Sequence, residues 1–100
     1  MSQNLAQRVF DVTSQFITLL DSLELGVTSV DGIAPALKQI YQTLKDYPNL
    51  PTAYKGTQCI ESWCAQLQKM KATDELSEAQ IRELKFNLAE HLQSFKDILS

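Results

Sequence analysis

An antiparallel, up-down-up-down four-helix bundle is the all-α fold that this 100-residue chain predicts. Two observations carry that expectation. Apolar residues recur at steps of three and four in four separate stretches, which is the period of an amphipathic helix. The breaks between the stretches are short, and short connections favour antiparallel neighbours. No convincing strand, internal repeat or low-complexity segment interrupts the pattern, so the chain reads as a single domain over residues 1–100.

The first helix is expected from about Asn4 to Leu25. Leu5, Val9, Val12, Phe16, Leu19 or Leu20, and Leu23 form a bundle seam. Phe10 and Ile17 form a second, flanking stripe, which predicts contact with two neighbours. Gly26 stands where a helix is stopped by a left-handed residue. The second helix is expected from about Asp31 to Tyr47, with Ile33, Leu37, Ile40 and Leu44 as its stripe. Pro35 belongs in a first turn, which argues against a start before Asp31. The stretch "DYPNLPTAYKG", with Pro48, Pro51 and Gly56, is the clear break.

The third helix is expected from about Thr57 to Lys71, with Ile60, Trp63, Leu67 and Met70 on the seam. Lys69 and Lys71 suit its negative C-terminal end. The fourth carries the most specific local signal. Ser77 and Gln80 have the spacing of a capping box, and Leu76 and Ile81 that of a hydrophobic staple. Asp74, Glu75 and Glu78 place negative charge at the positive end of the same helix, which is free to run to Leu99.

Composition excludes several functions. The net charge is −3 and the pI about 5.0, so no phosphate-neutralising surface is expected and nucleic acid is an unsuitable partner. The apolar runs are only a few residues long, so no membrane insertion is expected. Cys59 and Cys64 are five apart, roughly 140° around one helix, which suits neither a disulfide nor two ligands of one metal. Unpaired thiols fit a reducing compartment, and the expected localisation is cytoplasmic.

Catalytic signals are lacking. His91 stands one position before Leu92 at the edge of the buried stripe, where packing explains it. The glycines, Gly26, Gly32 and Gly56, are too scattered for a phosphate loop. Carboxylates such as those in "TDELSE" read as helix-start electrostatics, and no Glu-x-x-His motif faces inward for a di-iron site. Neither an enzyme nor a cofactor is expected.

Phe86 is the anomaly. Ile81, Leu84, Leu88, Leu92 and Phe95 recur on one stripe of the fourth helix, yet Phe86 points roughly 140° from Ile81. Arg82, Ala89 and Gln93 share its side. Two readings compete: a partner covers it, or the loop "PNLPTAY" folds over it. Leu25, roughly 180° from Phe16, is a second exposed candidate, for which simple packing at the helix end is the leading explanation.

"QFITLLDSLELGVTSVDGIAPAL" at 15–37, "IESWCAQLQKMKATDELSEAQIRELKFNL" at 60–88 and "SF" at 94–95 together resemble one family, the C-terminal domain of vacuolar protein sorting-associated protein 28, the small subunit of ESCRT-I. The resemblance extends over about residues 9–99 and is most specific at Trp63, Leu67, Met70 and "DELSEAQIRELKF". The chain departs from the family pattern at Asn87 and Ala89, where Asp and Glu are usual, at His91 and Leu92, where an aromatic is usual nearby, and at Tyr54 and Lys55. The resemblance implies a non-enzymatic adaptor that links ESCRT-I to an ESCRT-II subunit, with an ESCRT-III subunit as a further partner. The sorting of ubiquitinated cargo into multivesicular bodies on endosomal membranes is the implied process. It also implies that an N-terminal region, absent from this chain, joins the other ESCRT-I subunits, and that Met1 opens an excised piece. The positions matching the family's motif, and hence the expected partner-binding residues, are Asp74, Glu75, Gln80, Arg82 and Phe86. The isolated domain is expected to be a monomer. The competing expectation is a structural helical module that self-associates in a larger assembly.

Overall fold

Backbone hydrogen bonding along the four periodic stretches gives four α-helices in the computed structural model, which describes residues 5–99. They are α1 (Leu5–Glu24), α2 (Val30–Asp46), α3 (Gly56–Gln68) and α4 (Glu78–Leu99). The expected helix start at Asn4 and the reading of Met1 lie outside the described residues.

Contacts at the helix ends set the directions. Arg8, near the start of α1, donates to the Asp46 carbonyl at the end of α2 over 2.7 Å. The Tyr54 hydroxyl, just ahead of α3, donates to the His91 carbonyl late in α4 over 2.8 Å. Glu24, at the end of α1, pairs with Lys85 near the start of α4 at 2.6 Å. Each helix therefore runs against the next, and α4 closes back onto α1, so that the neighbours are α1–α2, α2–α3, α3–α4 and α1–α4. This is the expected up-down-up-down bundle.

The core follows the seams. Val12, Phe16, Leu19 and Leu23 from α1 meet Ile33, Leu37, Ile40 and Leu44 from α2. Ile60, Trp63 and Leu67 from α3 and Leu84, Leu88, Leu92 and Phe95 from α4 complete it. No polar or charged residue is buried among the described residues. Burial of each large apolar side chain contributes about 1.5–3 kcal/mol, so this seam is what holds the helices together. Leu5 stays exposed because the first turn of α1 projects to the end of the bundle.

The ends of the helices differ from expectation at Pro35. It lies inside α2, in the second turn rather than the first. Tertiary hydrogen bonds explain the early start. The Val30 and Asp31 amides donate to the carbonyls of Asp74 and Ala72 over 2.9 and 3.1 Å, so the α3–α4 loop caps α2. Leu76 returns an amide to the Thr28 carbonyl over 2.9 Å. The Ser29 side chain therefore makes no cap hydrogen bond. At the end of α1, Val27 donates to the Ser22 carbonyl and Gly26 to that of Leu23, each over 3.1 Å, a Schellman closure. It requires Gly26 at φ +97°, where a side chain is disfavoured.

Candidate partner-binding site

The start of α4 is assembled from local chemistry. Gln80 donates its amide to the Ser77 hydroxyl over 3.1 Å, and Ser77 donates its amide to the Gln80 side-chain oxygen over 2.8 Å. That is the reciprocal capping box. Leu76 is buried and Ile81 packs against the core, completing the staple. This fixes where α4 begins and therefore which of its residues face out.

Phe86 faces out. It is 67% exposed, and the loop from Tyr47 to Tyr54 does not cover it. That loop packs at the other end of α4, where Tyr47 meets Phe95 edge-on at 5.4 Å and Tyr54 meets Phe95 and His91 at 6.2 Å. The physical reason is direction: α3 must start beside the end of α4, which draws the preceding loop there. Burial pushes the Tyr54 hydroxyl well above the usual tyrosine range. Burial likewise raises both free thiols, Cys59 and Cys64.

The five expected partner-binding residues fall into two groups. Arg82 is exposed one turn before Phe86. It shares a hollow of about 440 Å³ with Glu75, Leu76, Ile81, Lys85 and Thr28. Glu75 is thus brought to Arg82, and its carboxylate also accepts from the Thr28 hydroxyl over 2.9 Å. Asp74 and Gln80 serve the fold: Asp74 accepts the Lys71 amide over 2.9 Å, and Gln80 holds the cap. Leu25 is even more exposed than Phe86, at 86%.

Two features escape reading from the sequence. Trp63 is core, as its place on the seam implies, but its indole N–H reaches out to the Asn87 oxygen over 2.9 Å. The sign available was a polar Asn between Phe86 and Leu88 on an otherwise regular helix. The second is the flanking stripe of α1. As the stripe predicted, α1 has two neighbours, α2 and α4, yet Phe10 and Ile17 do not supply the contact and are 64% and 42% exposed. The seam of α1 already satisfies α2 and α4, and the stripe lies outside both contacts.

The Glu24–Lys85 pair crosses the α1–α4 boundary beside this surface. The hydrogen bond from Lys85, and then its charge, hold the Glu24 carboxyl below the usual glutamate range. Among the described residues no group of three or more His, Cys, Asp or Glu side chains converges on a metal-sized site. The surface presents an apolar ring standing out from the helix, with one guanidinium and a shallow hollow beside it.

Comparison with known proteins places this geometry. The family model described as VPS28 protein matches residues 1–99. Vacuolar protein sorting-associated protein 28 of Dictyostelium discoideum is 39% identical over 84 residues, which is 84% of this chain and 29% of that protein. Its Arabidopsis thaliana homolog 2 is 36% identical over 94 residues, 94% of this chain and 45% of the relative. The chain therefore spans less than half the length of these curated relatives. The crystal structure of the yeast ESCRT-I Vps28 C-terminus superimposes with a TM-score of 0.83 at 28% identity, covering 93% of this chain and 92% of that one. A second crystal structure, of the C-terminal domain of Vps28, gives 0.84 at 28% identity and covers 93% and 97%. With the helix order, the capped α4 and these matches in agreement, the chain belongs to the VPS28 family and has the fold of its C-terminal domain.

Proposed function

We propose that this domain is a non-enzymatic adaptor of ESCRT-I that recruits an ESCRT-II subunit, and an ESCRT-III subunit as a further partner, while ubiquitinated cargo is sorted into multivesicular bodies. The observation that carries the reading is Phe86: a large aromatic left in water on a helix whose buried stripe is already complete. Exposure forgoes about 1.5–3 kcal/mol of burial free energy, which a partner surface recovers. Arg82 beside it gives the apolar spot a charged rim, the composition of interface anchors. Glu75 borders the same hollow, while Asp74 and Gln80 hold the loop and cap from which α4 projects.

In this reading the domain docks as a rigid body, with little backbone change. A region N-terminal to it joins the other ESCRT-I subunits, and the assembly is cytoplasmic and recruited peripherally to endosomal membranes. No helix among the described residues is long and apolar enough to cross a membrane. The family match and the ESCRT-I name carried by the yeast structure support this placement.

The exposed stripe of Phe10 and Ile17 favours a second reading, self-association into a larger helical assembly. Sedimentation separates the two, since the adaptor is a monomer at micromolar concentration and the self-associating module a dimer. Calorimetric titration of the domain into purified ESCRT-II tests the first directly. Saturable heat is expected, and silence at about 0.1 mM, which bounds binding to weaker than about −5.5 kcal/mol, would overturn it.

A further inference from the structure

We infer that Thr28 is a positioning residue for the docking surface: by holding the Glu75 carboxylate, it keeps the Arg82 guanidinium open to a neutral acceptor oxygen of the partner that covers Phe86. This deepens the role proposed for Phe86 and rests on it. The geometry begins with the two loops at one end of the bundle. Ser29 and Glu75 face each other in a single antiparallel bridge. The Leu76 amide donates to the Thr28 carbonyl and the Val30 amide to the Asp74 carbonyl, each over 2.9 Å. Successive side chains of an extended segment point opposite ways. Leu76 therefore enters the core and Glu75 stays outside. There its carboxylate accepts from the Thr28 hydroxyl over 2.9 Å, across 47 positions of sequence.

Four charged side chains line the hollow at this end: Glu75, Glu78, Arg82 and Lys85. Lys85 is already paired with Glu24. Glu75 is held by Thr28. Glu78 lies in the first turn of α4, where the positive helix end suits a carboxylate. Arg82 makes no ion pair or hydrogen bond among the described residues. Its freedom is unusual, because Glu78 stands one turn before it at a spacing that favours pairing, and Glu75 shares its hollow. An exposed ion pair is worth only up to about fivefold in an equilibrium, so a single hydrogen bond on a competing carboxylate is enough to decide whether the cation stays free. Thr28 supplies that hydrogen bond for Glu75. Without the hydroxyl, the donor left unengaged in the same hollow is Arg82.

Charge selects the group that Arg82 takes. Lys85 and Glu24 cancel, which leaves Glu75 and Glu78 against Arg82, two negative charges and one positive. Asp21, three residues before Glu24 on α1, adds no cation. An incoming carboxylate would meet this negative balance. A guanidinium carries five N–H donors and no acceptor, so it is satisfied by a neutral oxygen as well. The group that fits is therefore a backbone carbonyl or side-chain amide oxygen of the partner. It is presented one turn along α4 from the apolar group that covers Phe86. A contact of this kind changes little with salt, because the incoming group brings no charge to screen.

The test has one part without the partner and one with it. In the isotopically labelled domain, Thr28→Val keeps the β-branched shape and removes the donor. The Arg82 Nε–H resonance is expected to shift, and its exchange with water to slow, as Glu75 moves onto it. Adding Glu75→Gln is expected to restore both. In calorimetric titration against purified ESCRT-II, Thr28→Val is expected to weaken binding about two- to fivefold, the range of one exposed ion pair. Adding Glu75→Gln should recover the loss, and Thr28→Ser, which keeps the donor, should avoid it. The parent's affinity should change less than about twofold between low and physiological salt. An Arg82 resonance unmoved by Thr28→Val would overturn the inference. So would a loss that Glu75→Gln fails to recover, recovery by Glu78→Gln in its place, or affinity that falls steeply with salt. If the parent domain gives no heat with ESCRT-II, the proposed partner is lost, and the Arg82 resonance alone decides the role of Thr28.

Discussion

The indole N–H of Trp63 donates to the side-chain oxygen of Asn87 across the α3–α4 boundary at 2.9 Å. The ring itself is buried in the core. One side chain therefore does two things: it fills the bundle, and it ties α3 to the half-buried side of α4 that stands beside the Phe86 ridge. Rotation of α4 would break this bond, so the outward aim of Phe86 is coupled to it.

Trp63→Ala is expected to cost about 3–5 kcal/mol through loss of packing and the cavity left behind. Asn87→Ala leaves the indole donor unpaired and should cost about 1–3 kcal/mol. Urea denaturation reads both. A Trp63→Ala variant that unfolds like the parent but no longer binds its partner would make Trp63 a surface anchor instead.

Gly56→Ala tests a close approach. Gly56 opens α3, and a Cβ there would run into the ring of Tyr54. In an ordinary helix the change from Gly to Ala stabilises by about 0.5–1 kcal/mol. Here overpacking is expected to reverse the sign and destabilise by about 1–3 kcal/mol. Stabilisation in the same denaturation experiment would show that the Tyr54 ring is free to move aside.

Ser77→Ala removes one half of the capping box. The expected cost is about 0.5–2 kcal/mol, lowering the thermal midpoint by several degrees. Combined with Gln80→Ala, the loss should be less than the sum, because the two bonds support each other. Strict additivity would mean the two halves act independently.

Glu24 supplies a pH test. The hydrogen bond from Lys85 and then its charge depress the folded-state pKa of Glu24. A depressed carboxyl stabilises the fold above its unfolded value and loses that contribution as pH falls through the folded value. Carbon-13 titration of the Glu24 carboxyl should show a midpoint below the ordinary glutamate range. Lys85→Ala should return it. The pair is solvent-exposed, so the effect on stability is small. A midpoint unmoved by Lys85→Ala would mean the two side chains do not meet in solution.

Much of this architecture was legible because bundles are written in local periodicity. The seams of α1, α2 and α4, the Schellman glycine Gly26 and the Ser77–Gln80 cap each depend on residues within one or two turns of one another. What the sequence hid is long-range. Val30 and Asp31 are capped by carbonyls more than forty positions away, which lets α2 begin early enough to hold Pro35 in its second turn. The Tyr54 contact with His91 likewise joins distant stretches, and it draws the α2–α3 loop away from Phe86. At the candidate site, the outward angle of Phe86 was readable, but not that the α2–α3 loop leaves it uncovered. The pairing of Glu24 with Lys85, which unites the α1 stripe with the α4 face, was not, since helix adjacency does not specify register.

The adaptor reading stands or falls with Phe86. Phe86→Ser is expected to change folding stability by less than about 1 kcal/mol, as at other exposed positions. In calorimetric titration against purified ESCRT-II, the same variant should bind at least about tenfold more weakly than the parent, a loss of about 1.4 kcal/mol. Affinity equal to the parent's, with the fold intact, would contradict the account.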